Sequence, residues 1–225
     1  MKRIGLHVFV LMMCLSLSPW TMAEEKGKAD VIVEKSRVVV EEMMLSQDRG
    51  VPLDLISKSA GLAIIPDMIK GGFVFGGSYG RGVVLARKDG QWSGPAFIHI
   101  GAGSFGLQIG IQSTDLILVV IGQKTMDSFL KAKFKLGGDA AIAAGPVGAQ
   151  ATGAVDILLR GGIYSYSRTK GLFAGVSLEG AGIKSDTGLN RTYYRGTDST
   201  REILYGKVAR PATGQELIAV LKQIK

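Results

Sequence analysis

The stretch Ala96 to Ile121 reads AFIHIGAGSFGLQIGIQSTDLILVVI, and its reading decides between two fold classes. Gly101-Ala102-Gly103-Ser104-Phe105-Gly106 matches G-x-G-x-x-G and comes after the apolar run Ala96-Phe97-Ile98-His99-Ile100. A dinucleotide-binding fold needs a helix to open there, because the amino end of that helix holds the pyrophosphate. The next residues are instead Leu107-Gln108-Ile109-Gly110-Ile111-Gln112, which alternate with period two, and then Ser113-Thr114-Asp115. That is the pattern of a strand and a turn. The glycine motif is a chance match, and no nucleotide partner is expected.

Phe73-Val74-Phe75, Val83-Val84-Leu85, Leu107 to Ile111 and Leu116 to Ile121 are short β-type runs. Asp89-Gly90 is a hairpin signal between Val83-Val84-Leu85 and Ala96 to Ile100. Phe134 to Val147, Ile157 to Arg160, Ile163 to Arg168 and Leu172 to Leu178 continue the sheet. Helical recurrence predicts a helix over Ala29 to Asp48 and a short one over Pro52 to Ala60, with Gly61 after its end. A short helix is expected over Lys124 to Leu130, with Thr125 as its cap, and two more close the chain at Ser199 to Tyr205 and Pro211 to Ile224. Adjacent strands between terminal helices argue for an α+β fold rather than alternating βαβ units. Gly76 with Gly80, Gly106 with Gly110, and Gly171 with Gly175 recur four apart, each pair on one face of a strand. Such glycines mark bends or close approaches. The expected architecture is a strongly bent, mainly antiparallel, glycine-rich sheet or partial barrel with N- and C-terminal helices.

Composition narrows the chemistry. The 225 residues are 46% hydrophobic, 20% charged and only 7% aromatic, with net charge +8. Few aromatics and helical termini argue against an outer-membrane barrel with its aromatic girdles. The segment Lys2 to Ala23 has a basic start, an apolar middle from Ile4 to Leu17, and Thr21-Met22-Ala23 before charge resumes at Glu24. This is the layout of a secretory signal peptide. Residues 1–23 are therefore expected to be a leader and residues 24–225 a single domain, exported to the periplasm or secreted. Losing Lys2 and Arg3 takes the net charge from +8 to +6 and removes Cys14 and His7 with them. One histidine, His99, then remains, so thiol catalysis and thiolate metal sites are excluded. The carboxylates Asp67, Asp115, Asp139, Asp156, Glu179 and Asp186 are scattered singly, with no pair assembled for acid–base work. No catalytic residue, metal or cofactor is expected.

The basic residues say more. Lys131, Lys133 and Lys135 alternate with Ala132, Phe134 and Leu136, so an extended backbone puts three ammonium groups on one face. Arg168 and Lys170 flank a turn, and Arg191 and Arg195 bracket Tyr193-Tyr194. Clustered positive charge attracts anionic partners. For an exported chain, anionic lipid headgroups fit better than nucleic acid.

Three stretches together resemble the SYLF domain family: SYSRTKGLFAGVSLEG at Ser165 to Gly180, KGGFVFGGSYGRGV at Lys70 to Val83, and GLQIGIQSTDLILVV at Gly106 to Val120. The likeness runs from about Val31 to the C-terminus. The resemblance implies binding of phosphoinositides or other anionic phospholipids, and actin binding of the kind found in the family's endocytic adaptors. The reading is therefore a non-enzymatic peripheral lipid-binding module, with Lys131, Lys133, Lys135, Arg168 and Lys170 as the lipid-contacting residues. An envelope scaffold or protein-interaction module, indifferent to lipid charge, is the alternative.

Overall fold

In the computed structural model, residues 19–46, 51–72, 75–105, 110–147, 162–169 and 172–224 are described. The strands are β1 (Gly61–Gly72), β2 (Phe75–Lys88), β3 (Gln91–Trp92), β4 (Ala96–Phe105), β5 (Gly110–Ile121), β6 (Lys133–Lys135), β7 (Ile142–Ala144), β8 (Gly162–Thr169), β9 (Leu172–Gly175) and β10 (Gly182–Ser185). The helices are α1 (Pro19–Leu45), α2 (Leu53–Ser57), α3 (Gln123–Met126), α4 (Thr187–Tyr193), α5 (Thr200–Tyr205) and α6 (Ala212–Leu221), with a 3-10 turn at Asp127–Leu130.

The sheet order is β6-β10-β4-β2-β1-β5-β8-β7, with β3 paired to β2 and β9 to β8. All pairings are antiparallel except β7 with β8. The two end strands, β6 and β7, are consecutive in the chain and joined by residues 136–141. The sheet therefore curls into a half-barrel whose ends are tied by a short connection. This is the α+β architecture expected from the strand pattern.

A bulge sets the curl. Ile64 pairs with Val83 and Ile69 with Tyr79, so β1 carries one residue more than β2 between these points. The same excess appears against β5, between Ile65 and Met68. Pro66 and Asp67 fill the bulge, and Asp67 takes φ 49°. Proline is tolerated inside a sheet at such a point because no ladder bond is asked of it. The bent strand leans on β2 at Gly82, where a Cβ would run into the Ile64 carbonyl and the Ile65 Cα. Asp89 (φ 50°) and Gly90 (φ 73°) make the two-residue turn from β2 to β3, as the sequence signals.

Both faces of the sheet are buried over most of their length. Ile65, Val84, Ile98, Ile100, Leu116, Leu118, Phe134 and Ile183 point inward with Met126, Phe129, Ile203 and Leu204. Ile64, Val83, Phe97, Ile117 and Tyr166 point outward under Val33, Val40 and Met43 of α1 and Leu217 and Leu221 of α6.

The elements depart from the sequence reading at several points. The helix predicted from Ala29 begins at Pro19, so the expected cut after Ala23 falls inside α1. In place of one strand over residues 134–147 there are two three-residue strands, Lys133–Lys135 and Ile142–Ala144, around a turn, and β9 stops at Gly175. Thr125 lies within α3 rather than capping it, and the second half of the predicted 124–130 helix is the 3-10 turn. Helix α4 has no counterpart in the sequence reading. The apolar run Ile4 to Leu17, the predicted strand at Ile157 to Arg160 and most of Leu107 to Ile111 lie outside the described residues. Gly101 to Phe105, the first five residues of the glycine motif, form the end of β4.

Candidate functional site

The outer face of the sheet is layered, and the ladder register shows it. Phe97, Val83, Ile64, Ile117 and Tyr166 form the apolar rows under the helices. Two residues further along each strand, Lys133 pairs with Lys184, Lys184 with His99, and His99 with Arg81. Past the bulge, the same row continues with Asp115 opposite Arg168. Side chains alternate faces along a strand, so this row is charged from one side of the half-barrel to the other.

Its two halves differ in how their charges are met. At the β1 bulge and at Arg168 of β8 the row meets charged side chains of α1, and there the charges are matched. Arg168 donates from Nε and Nη2 to Asp115 Oδ2 at 2.9 and 2.6 Å, and it also pairs with Glu42 of α1. Lys35 of α1 reaches Asp67 at 2.6 Å, and the Asp67 amide donates to Asp115 Oδ1 at 3.0 Å. The bulge thus brings together two carboxylates that the sequence shows only as scattered, and each is held by a cation.

Along β6, β10, β4 and β2 the row is basic and its cations are exposed. Lys131, Lys133, Lys135 and Lys184 are all exposed and make no ion pair among the described residues. Arg81 donates from Nε to the Tyr79 hydroxyl at 3.1 Å and stands 3.9 Å from Asp186. Asp186 already accepts the Leu189 amide as the cap of α4. His99 lies between, with Nδ1 3.4 Å from Asp186 and 3.3 Å from the Tyr79 hydroxyl. Burial holds the His99 pKa below its ordinary value, with Arg81 and Lys184 acting in the same direction and Asp186 opposing them.

The expected site residues therefore separate. Lys131, Lys133 and Lys135 sit at the open basic edge. Arg168 sits beyond the bulge, half-buried in its ion pairs, and Lys170 is outside the described residues. Lys184 and Arg81 join the lysines instead. Only pairing reveals them, since each is a lone cation in its own strand: Gly80-Arg81-Gly82 and Ile183-Lys184-Ser185. Arg191 is taken by Asp198, and Tyr193 is buried, its pKa pushed up to about 12 by that burial.

Residues 101–224 match the family described as "Ysc84: Las17-binding protein actin regulator". The chain is 36% identical over 207 residues to an SH3 domain-containing protein of Schizosaccharomyces pombe, covering 90% of this chain and 47% of that protein. It is 35% identical to the SH3 domain-containing YSC84-like protein 1 of Xenopus laevis, over 90% of this chain and 61% of that protein. It is also 35% identical to the LAS seventeen-binding protein 3 of Saccharomyces cerevisiae, over 91% of this chain and 45% of that protein. The chain spans about half the length of the curated relatives it matches. These relatives correct the localisation read from the sequence. Proteins alike over nine-tenths of this chain are eukaryotic and are named for SH3 domains or for binding LAS seventeen, which overturns the reading of an exported envelope protein.

Proposed function

This chain belongs to the Ysc84/SYLF family, and on that footing we propose that it is a protein-interaction module of the actin-regulating kind, acting by binding and without a catalytic step. The partner docks on the exposed basic row of the outer face. One observation carries this: Lys133, Lys184 and Arg81 are aligned by strand pairing in one row and all three are exposed, with Lys131 and Lys135 beside them. A row of like charge is held together against its own repulsion by the ladder, and it sets up a positive field that attracts an acidic surface. Co-sedimentation with actin filaments tests it. Wild type should pellet with filaments, and a Lys133→Glu/Lys135→Glu/Lys184→Glu variant with an unchanged circular dichroism spectrum should stay in the supernatant. Failure of the wild type to pellet, or equal pelleting of both, overturns the proposal.

A second reading, peripheral binding of anionic phospholipid, is favoured by the exposed apolar side chains Ile69, Tyr79 and Ile111 on the same face. Each basic residue near a charged bilayer contributes about 1 kcal/mol. On this reading Lys131, Lys133 and Lys135 meet headgroups, and Lys184 and Arg81 take the place of Arg168. Vesicles of phosphatidylserine in phosphatidylcholine should then bind the chain, weakening as salt rises. Pure phosphatidylcholine vesicles should not.

A further inference from the structure

Next to the basic row the outer face loses its side chains. Two residues beyond Lys133, Lys184 and His99 come Lys135, Gly182 and Gly101, paired in that order, with Tyr79 and Ile69 completing the row. One row further, Gly103 pairs with Gly77 and Gly77 with Gly71, and Ile111 is next. Five glycines on four adjacent strands thus form a bare floor. Lys135 stands at one end of it, and Tyr79, Ile69 and Ile111, each more than half exposed, stand at the other.

The fold itself gives no reason for four of these glycines, Gly77, Gly101, Gly103 and Gly182. A Cβ built at Gly103 meets nothing within 4 Å, and at Gly77, Gly101 and Gly182 the nearest atoms are 3.5, 3.8 and 3.8 Å away, which is ordinary contact. None of the four is among the residues with positive φ. They contrast with Gly82, where β1 occupies the space. Glycine inside a strand costs about 0.5–1 kcal/mol relative to alanine, so the floor is destabilising for the isolated chain. What a bare backbone provides is close approach from outside.

We propose that this floor and the basic row beside it seat an acidic amphipathic helix of a protein partner; the proposal rests on the reading of the chain as a protein-interaction module. Gly103, Gly77 and Gly71 lie on three neighbouring strands, so the recess is about 10 Å wide at the usual strand spacing. A helix is about 10–12 Å across. Its apolar side lies on the glycines and against Tyr79, Ile69 and Ile111, while its carboxylates face Lys133, Lys135, Lys184 and Arg81. A fluid membrane adapts to any relief and gains nothing from missing side chains, so the glycines favour a protein element over a lipid surface.

The test tracks the backbone amides of Gly77, Gly101 and Gly103 by 15N NMR in the wild-type chain. The probe is a synthetic helical peptide of roughly 18 residues, about five turns, with Leu and Ala on one face and Glu on the other. The three amides should shift saturably with it and stay still with a scrambled peptide of the same composition. Gly77→Ser and Gly103→Ser should fold with an unchanged or raised melting temperature yet bind the peptide about tenfold more weakly, the cost of overfilling a packed contact. Unmoved amides, or serine variants that bind as wild type, overturn the proposal. So do amides that respond to phosphatidylserine vesicles and not to the peptide. If actin filaments still pellet the wild type while the peptide leaves the amides unmoved, only the helix seat fails and the interaction module stands.

Discussion

Arg168 and Asp115 face each other across the β5–β8 ladder, and two guanidinium nitrogens converge on one carboxylate oxygen, at 2.9 and 2.6 Å. The other oxygen of Asp115 accepts the amide of Asp67 in the β1 bulge, and Arg168 reaches on to Glu42 of α1. One arginine therefore ties the bulge, two strands and the long helix together. Its positive charge is matched inside the fold, whereas Lys133, Lys135 and Lys184, on β6 and β10, are exposed and make no ion pair among the described residues.

Arg168→Ala should accordingly act on stability. It leaves Asp115, only 12% exposed, without its cation, and losing one partner of a part-buried pair costs about 1–3 kcal/mol. Urea unfolding should show a lower midpoint at unchanged slope. Partner binding per folded molecule should be that of wild type; a selective loss of binding would return Arg168 to the docking site.

The sequence carried the strand periodicity, because Ala96 to Ile100 and Leu116 to Ile121 announce extended backbone without any tertiary information. It also carried the exposed lysines of β6, whose alternation with Phe134 and Leu136 is local. It did not carry the partners of those lysines. Lys184 is 51 residues from Lys133 and Arg81 is 52 residues the other way, so their alignment exists only in the pairing of β6, β10, β4 and β2. Arg168 misled for the same reason: Asp115 and Glu42 are remote in sequence, and nothing local shows that its charge is already matched. Helix α4 was hidden because TGLNRTY has weak helical propensity; the Asp186 cap and the burial of Leu189, Asn190 and Tyr193 against β4 hold it.

Gly82→Ala should be the most damaging glycine substitution on β2. The methyl group would meet the backbone of the bulged strand, which cannot rotate away as a side chain can. Overpacking against backbone costs roughly 3 kcal/mol. Thermal unfolding of Gly82→Ala and Gly77→Ala side by side checks this: the first should melt far below wild type, the second at or above it. Equal melting temperatures would mean that the bulge yields.

Asp186→Ala removes the carboxylate that accepts the Leu189 amide at the start of α4. Loss of such a cap costs about 0.5–2 kcal/mol. The same substitution takes away the counter-charge beside His99 and Arg81, so it should strengthen binding of an acidic partner while weakening the fold. Asp186→Asn, which keeps an accepting oxygen, should separate the two effects by restoring most of the stability and retaining the stronger binding.

His99 gives stability a pH dependence whose sign is set by its surroundings. Its ring is 23% exposed, and burial is the main cause of its lowered pKa. Tyr79 and Arg81 on β2, Lys184 on β10 and Asp186 at the start of α4 face it; of the charged groups, only Asp186 favours the imidazolium. Above the unfolded value of about 6.5 the ring is neutral in both states and contributes no pH dependence. As pH falls through that value, the unfolded chain takes up the proton first, so the folded state loses ground until the folded pKa is reached. The unfolding free energy of wild type should therefore decline from about pH 7 downward. His99→Gln, neutral at every pH and able to hydrogen-bond Tyr79, should flatten that decline. Urea titrations of the two proteins at stepped pH measure the difference. Curves that stay parallel through this range would show that His99 is as easily protonated in the fold as outside it.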